Sequence, residues 1–306
     1  DEVKHRVPIW KKEHYVNGDS GWVNCERCAT APSSTDATAA TTPSELHGHH
    51  HDHHRDHHHD HHHDHHHGGD RGSASDAAGP TGPGAVRLSP DYSRQIALRE
   101  VGPAGQQRLR ASHVAVVGAG GLGVPVLQYL GGAGVGRITV IDGDVLEASN
   151  LHRQTLYALA DCGQAKAVLA ARHLAALNPE IDVQARAQRL DAGNGAWLLA
   201  GADLIIDCSD NFASKFLIND LAQQLGIPAI LASVYQFEGQ LQVVDPRRAG
   251  SCLRCIWPEA TRDGLVGNCA EAGVLGPVPG VFGCLQALEA LKQLLELPGR
   301  LQDEVL

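Results

Sequence analysis

From residue 91 to the end of the chain, short apolar runs alternate with longer stretches in which apolar residues recur every three or four positions. The short runs predict strands, and the longer spacing predicts amphipathic helices. Strands are predicted at 112–117, 137–142, 182–187, 203–207, 228–233 and 237–244. Helices are predicted at 122–131, 165–177, 212–225 and 281–297. Strands interleaved with helices imply an α/β domain built on a doubly wound, mostly parallel sheet.

Single residues mark the ends and faces of these helices. Pro125 fits a helix only in the first turn, where its missing N–H leaves no hydrogen bond unmade. Gly226 is typical of the residue that ends a helix. The last helix is predicted to turn one apolar face to the core, formed by Leu285, Leu288, Leu291 and Leu295.

The chain divides into three zones by composition. Residues 1–28 are mixed polar and aromatic, and are too short to fold alone. Residues 29–90 hold almost no large apolar side chains and surround a His-Asp tract at 47–67, so we predict a disordered linker. Residues 91–306 are predicted to form the folded domain. The chain begins at Asp1 and has no Met, so we expect its natural start to be missing.

Composition excludes several classes of protein. Aromatic residues make up 4% and charged residues 20% of the chain, which argues against a coiled coil and a nucleic-acid-binding arm. No apolar run approaches the roughly 18 residues of a membrane span, and no signal segment opens the chain, so we expect a cytoplasmic protein without a membrane partner. Eight cysteines, with two Cys-x-x-Cys pairs, indicate metal or thiol chemistry rather than a disulfide framework.

A glycine-rich segment follows the first predicted strand of the domain and opens a helix. Its glycines are Gly118, Gly120, Gly121 and Gly123. Glycines let the backbone approach a phosphate, and a helix N-terminus offers free N–H groups and partial positive charge. Asp142 ends the next strand, where it can accept hydrogen bonds from ribose hydroxyls. This motif alone is also compatible with a nicotinamide-dependent oxidoreductase.

Further motifs follow in a fixed order. They include Asp142-Gly-Asp144, the run from Ser149 through Asn150 to Arg153, Lys166 at a helix start, and the run from Asp207 through Asp210 to Asn211. Asp91-Tyr-Ser-Arg94, Cys252-x-x-Cys255 and Asn268-Cys269 complete the set. With these motifs, residues 91 to about 297 resemble the MoeB/ThiF family of ubiquitin-activating-like adenylyltransferases. The resemblance implies a Rossmann-like ATP-binding domain.

The resemblance also implies a reaction. Such an enzyme uses ATP and Mg²⁺ to adenylate the Gly-Gly carboxyl end of a MoaD-like, ubiquitin-like sulfur carrier, and a persulfide sulfurtransferase then supplies sulfur. A C-terminal carboxylate, with a pKa of about 3.3–3.7, is already ionised at neutral pH, so the obstacle is repulsion between two anions. Two cations and a metal-holding carboxylate around a phosphate cradle suit attack at a phosphate rather than hydride transfer.

The resemblance implies a role for each residue of this chain that matches the family's motifs. Arg153 and Lys166 would contact the α-phosphate, and Asp210 would hold Mg²⁺. Asp142, Ser149, Asn150 and Asn211 would bind the nucleotide with the glycine loop. Arg94 would reach the site from the second subunit of a homodimer. Each residue also has a plainer interpretation: the three cations as solvated surface charges, and Asp210 as a helix cap.

The cysteines raise two further hypotheses. Cys252 and Cys255 have the spacing of half a zinc site, but two thiolates do not complete a tetrahedral structural site. Relatives provide a second pair near the C-terminus that this chain lacks, and a truncated or divergent end would explain the difference. Alternatively, Cys25 with Cys28 could complete the site across the linker. Cys269 matches the reactive cysteine of relatives, which transfers sulfur in ThiF-like members and is not required for adenylation in MoeB-like members.

The N-terminal zone favours one biological context. The segment from Lys4 to Lys11 and beyond resembles the C-terminal end of the MoaE-type subunit of molybdopterin synthase, whose lysines serve sulfur insertion. A tail of this kind favours a MoaD-like carrier and molybdenum-cofactor synthesis over a ThiS carrier and thiamine synthesis. The fifteen histidines of the tract at 47–67 leave a metal-delivery protein as another alternative, although a polar spacer explains the tract more simply.

Overall fold

The computed structural model describes residues 10–14, 20–24, 88–248, 250–258, 273–302 and 304–306. In the N-terminal zone, strands β1 (Trp10–His14) and β2 (Ser20–Asn24) form an antiparallel pair. This pair and the sheet described below belong to different compact units, and each is considered by itself. Lys4, Cys25, Cys28 and the His-Asp tract lie outside the described residues, and so do residues 29–87 of the predicted linker.

The larger unit is built on one mixed sheet. Its strands are β3 (His113–Val117), β4 (Arg137–Ile141), β5 (Asp182–Arg186), β6 (Leu204–Asp207), β7 (Ala229–Tyr235) and β8 (Glu238–Val244). Their spatial order is β5-β4-β3-β6-β7-β8, with parallel pairing throughout except between β7 and β8. From β3 the chain adds β4 and β5 on one side of the sheet and then β6 and β7 on the other, so the sheet is doubly wound and the predicted α/β fold is confirmed.

Helices lie between and beside the strands. They are α1 (Ser93–Ile96), α2 (Gly102–Ala111), α3 (Gly123–Ala133), α4 (Lys166–Leu177), α5 (Gly195–Leu199), α6 (Phe212–Leu225), α7 (Leu253–Ile256) and α8 (Pro277–Leu295). Pro125 lies at the third position of α3, as its missing N–H requires. Gly226 ends α6 in the left-handed conformation, with φ of 68°.

The buried core fills both faces of the sheet. After their first residues, β3 and β4 are buried, as is all of β6, and the three strands are rich in Val, Ile and Leu, as expected for central parallel strands covered on both sides. On one face α3, α4 and α8 pack against them, and on the other α5 and α6 do. This packing fixes the carboxyl ends of β3, β4 and β6 next to one another.

Sequence patterns located most of these elements and missed a few. The predicted strands and helices are confirmed with shifts of a few residues at their ends, as at 228–233, where β7 continues to Tyr235. Helix α2 was not predicted, and the last helix starts earlier, at Pro277. The prediction for Leu288 was wrong, because its side chain is 52% exposed while Leu295 is buried. None of the described helices is both long and apolar enough to cross a membrane.

Candidate active site

The glycine loop between β3 and α3 passes very close to the end of β6. Gly118 has a φ of +100°, and a Cβ at this position would lie 2.6 Å from the carbonyl oxygen of Cys208. A Cβ on Gly123 would overlap the carbonyl oxygen of Gly118. Only glycine fits at these two points. The loop is therefore drawn against the sheet, and it opens directly into the N-terminus of α3.

The N–H groups of this loop are available to a ligand. Within the described part of the chain, the backbone N–H groups of Gly120, Gly121 and Gly123 donate no hydrogen bond, whereas that of Ala119 donates to Asp142. Free N–H groups at the start of a helix attract anions through hydrogen bonds and the helix dipole. The predicted glycines thus form a cradle suited to phosphate.

Asp142 lies just beyond β4 and supports the glycine loop. Its Oδ2 accepts a hydrogen bond from Ala119 N at 2.7 Å, and its Oδ1 accepts one from Asp144 N at 2.8 Å. Burial raises the pKa of this carboxyl, although the two N–H groups and the nearby Lys166 work in the opposite direction. Each carboxylate oxygen keeps a further lone pair with which to accept a hydroxyl.

The turn from Ser149 to Arg153 brings two predicted residues to the loop. Asn150 is buried, and its Oδ1 accepts a hydrogen bond from Glu147 N at 3.3 Å, which stabilises the turn. The Arg153 guanidinium donates to the carbonyl oxygen of Ser149 at 3.2 Å. The Cγ of Arg153 would lie 3.5 Å from a Cβ on Gly121, so the stem of this arginine borders the glycine loop.

Lys166 is the first residue of α4 and is held in place by an acid that sequence reasoning did not assign to the site. Its side chain is 9% exposed, and its Nζ lies 3.4 Å from Asp144 Oδ2. The other Asp144 oxygen accepts a hydrogen bond from Arg189 at 2.9 Å. The interpretation of Lys166 as a solvated surface charge was therefore wrong. A pair formed across 22 residues of sequence leaves no local pattern from which to predict it.

Asp210 and Asn211 lie in the turn between β6 and α6. The cap of α6 is Asn211, whose Oδ1 accepts a hydrogen bond from Ser214 N at 2.9 Å, so the interpretation of Asp210 as that cap was wrong. Asp210 is exposed, and among the described residues its carboxylate accepts a side-chain hydrogen bond only from the Asn211 amide, at 3.4 Å. Below this turn, Lys215 donates to the buried Asp207 at 2.9 Å, an ion pair that sequence reasoning also missed.

A buried glutamine is a further residue that the predictions missed. Gln154 is 2% exposed, and its Nε2 would lie 3.5 Å from a Cβ on Gly120. Its Oε1 is buried without a hydrogen-bond partner among the described residues. Its position directly after Arg153 is the one sequence signal that could have placed it at the glycine loop.

Arg94 does not join this group within the chain. It lies on α1, is exposed, and makes no hydrogen bond or ion pair with residues that the structure describes. Its neighbour Gln95 donates to the carbonyl oxygen of Ala133 at 3.2 Å, immediately before β4 begins. The glycine loop instead follows β3 and Asp142 follows β4, so α1 lies at the opposite edge of the parallel strands.

The cysteine residues are only partly described. The Sγ atoms of Cys252 and Cys255 lie 3.6 Å apart beside α7, where Leu253 N donates to Asn219 of α6. Two thiolates on one tetrahedral zinc, each at about 2.3 Å, are separated by a similar distance of about 3.8 Å. A cluster of three or more metal-binding side chains is absent from the described ranges. Cys269 lies outside them.

The site thus gathers the glycine loop, Asp142, the Arg153 turn, Lys166 and Asp210 at the carboxyl edge of β3, β4 and β6. Several curated proteins are similar to this chain. A sulfur carrier protein adenylyltransferase of Thermus thermophilus is 50% identical over 208 residues, which cover 67% of this chain and 77% of that protein. The SAMP-activating enzyme E1 of Haloferax volcanii is 48% identical over 214 residues, covering 69% and 78% of the two chains. These relatives confirm the predicted enzyme class, an adenylyltransferase.

Longer relatives carry the same class name, and solved structures share the fold. The mouse adenylyltransferase and sulfurtransferase MOCS3 is 47% identical over 201 residues, but the match spans only 44% of its length. A crystal structure of Escherichia coli MccB with ATP superposes with a TM-score of 0.59 at 25% identity, over 69% of this chain and 66% of that one. PaaA, at 24% identity and a TM-score of 0.58, shares the fold.

A family model extends the agreement to nearly the whole larger unit. The model described as the ThiF family matches residues 92–305, which is well over half of the chain. The motifs that predicted this resemblance lie within that range, except that the first of them begins one residue earlier, at Asp91. The chain therefore belongs to the ThiF family.

Proposed function

We propose that this protein uses ATP to adenylate the C-terminal Gly-Gly carboxylate of a MoaD-like, ubiquitin-like sulfur carrier. One observation supports this proposal most directly: the stem of Arg153 borders a glycine loop in which Gly120, Gly121 and Gly123 donate no N–H hydrogen bond among the described residues, and Lys166 lies near Asp142, which holds that loop. A relative named sulfur carrier protein adenylyltransferase is 50% identical over 208 residues, and a SAMP-activating enzyme E1 is 48% identical over 214 residues. The carrier would leave as an acyl-adenylate, ready for attack by sulfur from a persulfide sulfurtransferase.

The reaction requires charge neutralisation rather than a general base. A carboxylate oxygen of the carrier forms a bond to the α-phosphorus of ATP, the bond from that phosphorus to the bridging oxygen breaks, and pyrophosphate leaves. Because the nucleophile is ionised at neutral pH, the main barrier is repulsion between the carboxylate and the phosphates. Arg153 and Lys166 would reduce this repulsion at the α-phosphate, where preorganised cations stabilise developing charge.

The remaining residues would position the nucleotide. The glycine loop would bind phosphate through Gly120, Gly121 and Gly123, and Asp142 and Asn150 would bind the ribose side with help from Ser149 and Asn211. Asp210 has an exposed carboxylate free to ligate a divalent ion, and carboxylate oxygens are ligands that Mg²⁺ prefers. Bound Mg²⁺ would withdraw negative charge from the phosphates as pyrophosphate departs.

Three further parts of the proposal concern residues outside the site described above. Arg94, exposed at the opposite edge of the sheet, would act in the second subunit's site within a homodimer. Cys269 would receive sulfur only if this chain works in the ThiF manner. Cys252 and Cys255 would supply two of the four ligands of a structural zinc, and the separation of their Sγ atoms suits that role.

The name MOCS3, which several relatives carry, favours a MoaD-like carrier over ThiS. The MoaE-like end that the sequence predicts at the N-terminus would favour the same carrier. The match covers less than half of each MOCS3 chain, so a sulfurtransferase activity is not part of the proposal. ThiF-type adenylation of ThiS remains the competing function.

Exchange of labelled pyrophosphate into ATP tests both the reaction and the carrier. The full chain would be incubated with Mg²⁺, ATP and either a purified MoaD-like or a purified ThiS-like carrier. We expect exchange that depends on the carrier's intact Gly-Gly end and is faster with the MoaD-like protein. Faster exchange with ThiS would transfer the proposal to thiamine synthesis, and an absence of exchange with both carriers would overturn it.

A further inference from the structure

Ala119, in the middle of the glycine loop, is held from two sides. Its N–H donates to Asp142 Oδ2 at 2.7 Å, and its carbonyl oxygen accepts a hydrogen bond from the Tyr157 hydroxyl at 2.9 Å. Tyr157 is 7% exposed and follows the Arg153 turn, where Tyr157 N donates to Gln154 O at 3.2 Å. Tyr157 lies outside the set of residues that the sequence placed in the site.

The hydrogen bond from Tyr157 determines which way the next N–H group points. The carbonyl of Ala119 and the N–H of Gly120 belong to one planar peptide group, in which the two bonds point in opposite directions. With the carbonyl directed at the buried Tyr157, the Gly120 N–H is directed away from the interior. Glycine offers little resistance to rotation of this peptide, so an external constraint is needed to keep it in one orientation.

The Tyr157 hydroxyl is suited to be a permanent donor. Burial raises the pKa of Tyr157 well above its usual range, and the carboxylates of Asp142 and Asp161 add to the effect. The phenol therefore keeps its proton at neutral pH. Its ring lies 6.2 Å from the ring of His173, measured between centroids, so packing against α4 also fixes the side chain.

We propose that Tyr157 is a positioning residue for ATP, which holds the Ala119–Gly120 peptide so that the Gly120 N–H faces the phosphates. This inference rests on the proposed function, because it assigns the glycine loop to ATP. Tyr157 itself would not touch the nucleotide. Its contribution would be preorganisation: without the hydrogen bond, part of the binding free energy is spent on orienting the peptide.

The variant Tyr157→Phe tests this role, because the ring stays packed and only the hydroxyl is lost. Ser112→Ala is a matched control, since Ser112 Oγ also donates to a backbone carbonyl, that of Arg108 at 2.8 Å, beside the opposite edge of the sheet. For the full-length wild type and both variants, the Kd for ATP with Mg²⁺ would be measured by calorimetry. The KM for ATP and kcat would come from pyrophosphate exchange, and every measurement would be made well below the melting temperature of the variant.

For Tyr157→Phe, we expect the Kd and KM for ATP to rise about fivefold, the effect of one neutral hydrogen bond, with kcat changed by less than about twofold. Ser112→Ala should match the wild type in all three. A Kd for Tyr157→Phe equal to that of the wild type would overturn the inference and leave the proposed function intact. A wild type that binds no ATP would overturn both, and equal rises in Kd for the two variants would reduce Tyr157 to a general contributor to stability.

Discussion

The Lys166 ammonium lies 3.4 Å from one carboxylate oxygen of Asp144, while the other Asp144 oxygen accepts a hydrogen bond from Arg189 at 2.9 Å. The lysine side chain is 9% exposed and the aspartate 48%. A long, flexible lysine is thereby confined to one position at the edge of the site. Asp144 thus acts on the site through Lys166, although it is not expected to contact ATP.

The variant Asp144→Asn should reveal this dependence. The amide keeps the size of the side chain but removes the charge, so Lys166 would be less well oriented toward the α-phosphate. We expect pyrophosphate exchange to fall about tenfold, a modest loss of preorganisation. Asp182→Asn is the matched control, because Asp182 pairs with Arg137 at 2.9 Å at the start of β4 and β5. In the Lys166→Ala background, Asp144→Asn should have little additional effect, and a fully additive effect would contradict the coupling.

Replacing Arg153 or Lys166 should reduce pyrophosphate exchange more than Asp144→Asn does. We expect Arg153→Ala and Lys166→Ala each to lower the rate of pyrophosphate exchange by about two orders of magnitude or more, as loss of a preorganised contact to a reacting oxyanion does. Arg137→Ala is the control. It removes an exposed, ion-paired arginine at the opposite edge of the sheet and should leave the rate unchanged. Near-normal exchange in both site variants would show that these two residues do not contact the reacting phosphate.

The glycine loop gives a prediction about stability. Gly118→Ala would place a Cβ 2.6 Å from the carbonyl oxygen of Cys208 at a φ of +100°, so we expect the free energy of unfolding to fall by at least about 2 kcal/mol. Gly132→Ala, in α3, meets no atom within 4 Å and should raise it by about 0.5–1 kcal/mol. Denaturant unfolding of the two variants measures both effects. Equal stability of Gly118→Ala and the wild type would mean that the loop relaxes away from β6.

Sequence patterns predicted those parts of the fold that depend on neighbours in the chain. The apolar runs of β3, β4 and β6 and the glycine loop are local signals, and the family resemblance placed Arg153 and Lys166 beside that loop. Helix α2 was missed because Leu109 is its only large buried apolar residue, with Gly105 and Gln106 completing its inner face.

The contacts that support the site were harder to predict. Lys166 meets Asp144 across 22 positions, and Tyr157 meets Ala119 across 38 positions. Pairing of this kind follows from which strands lie side by side, and the hydrophobic pattern does not specify it. The exposure of Leu288 could not be predicted for a related reason. Helical spacing identifies the apolar face of α8, but it does not tell which part of that face neighbouring elements cover.

The final prediction concerns pH. Burial raises the pKa of Asp142, so this carboxylate becomes protonated at a higher pH than an ordinary aspartate does. Protonation removes an acceptor for the ribose hydroxyls, and the Kd for ATP should therefore rise as the pH falls through that raised pKa. In Asp142→Asn, affinity should be weaker but should not vary with pH over the same range.

Protonation of Asp142 should stabilise the fold, although the same protonation should weaken ATP binding. Because the pKa is higher in the folded than in the unfolded chain, the folded state binds this proton more tightly, and protonation favours folding as the pH falls. Asp220, whose pKa the Arg254 hydrogen bonds lower, loses its contribution to stability only as the pH falls below about 3.8. Calorimetric titration with ATP and thermal melts over the same pH series should therefore show affinity lost before stability. A parallel loss of both would show that acid acts on the fold as a whole and not through Asp142.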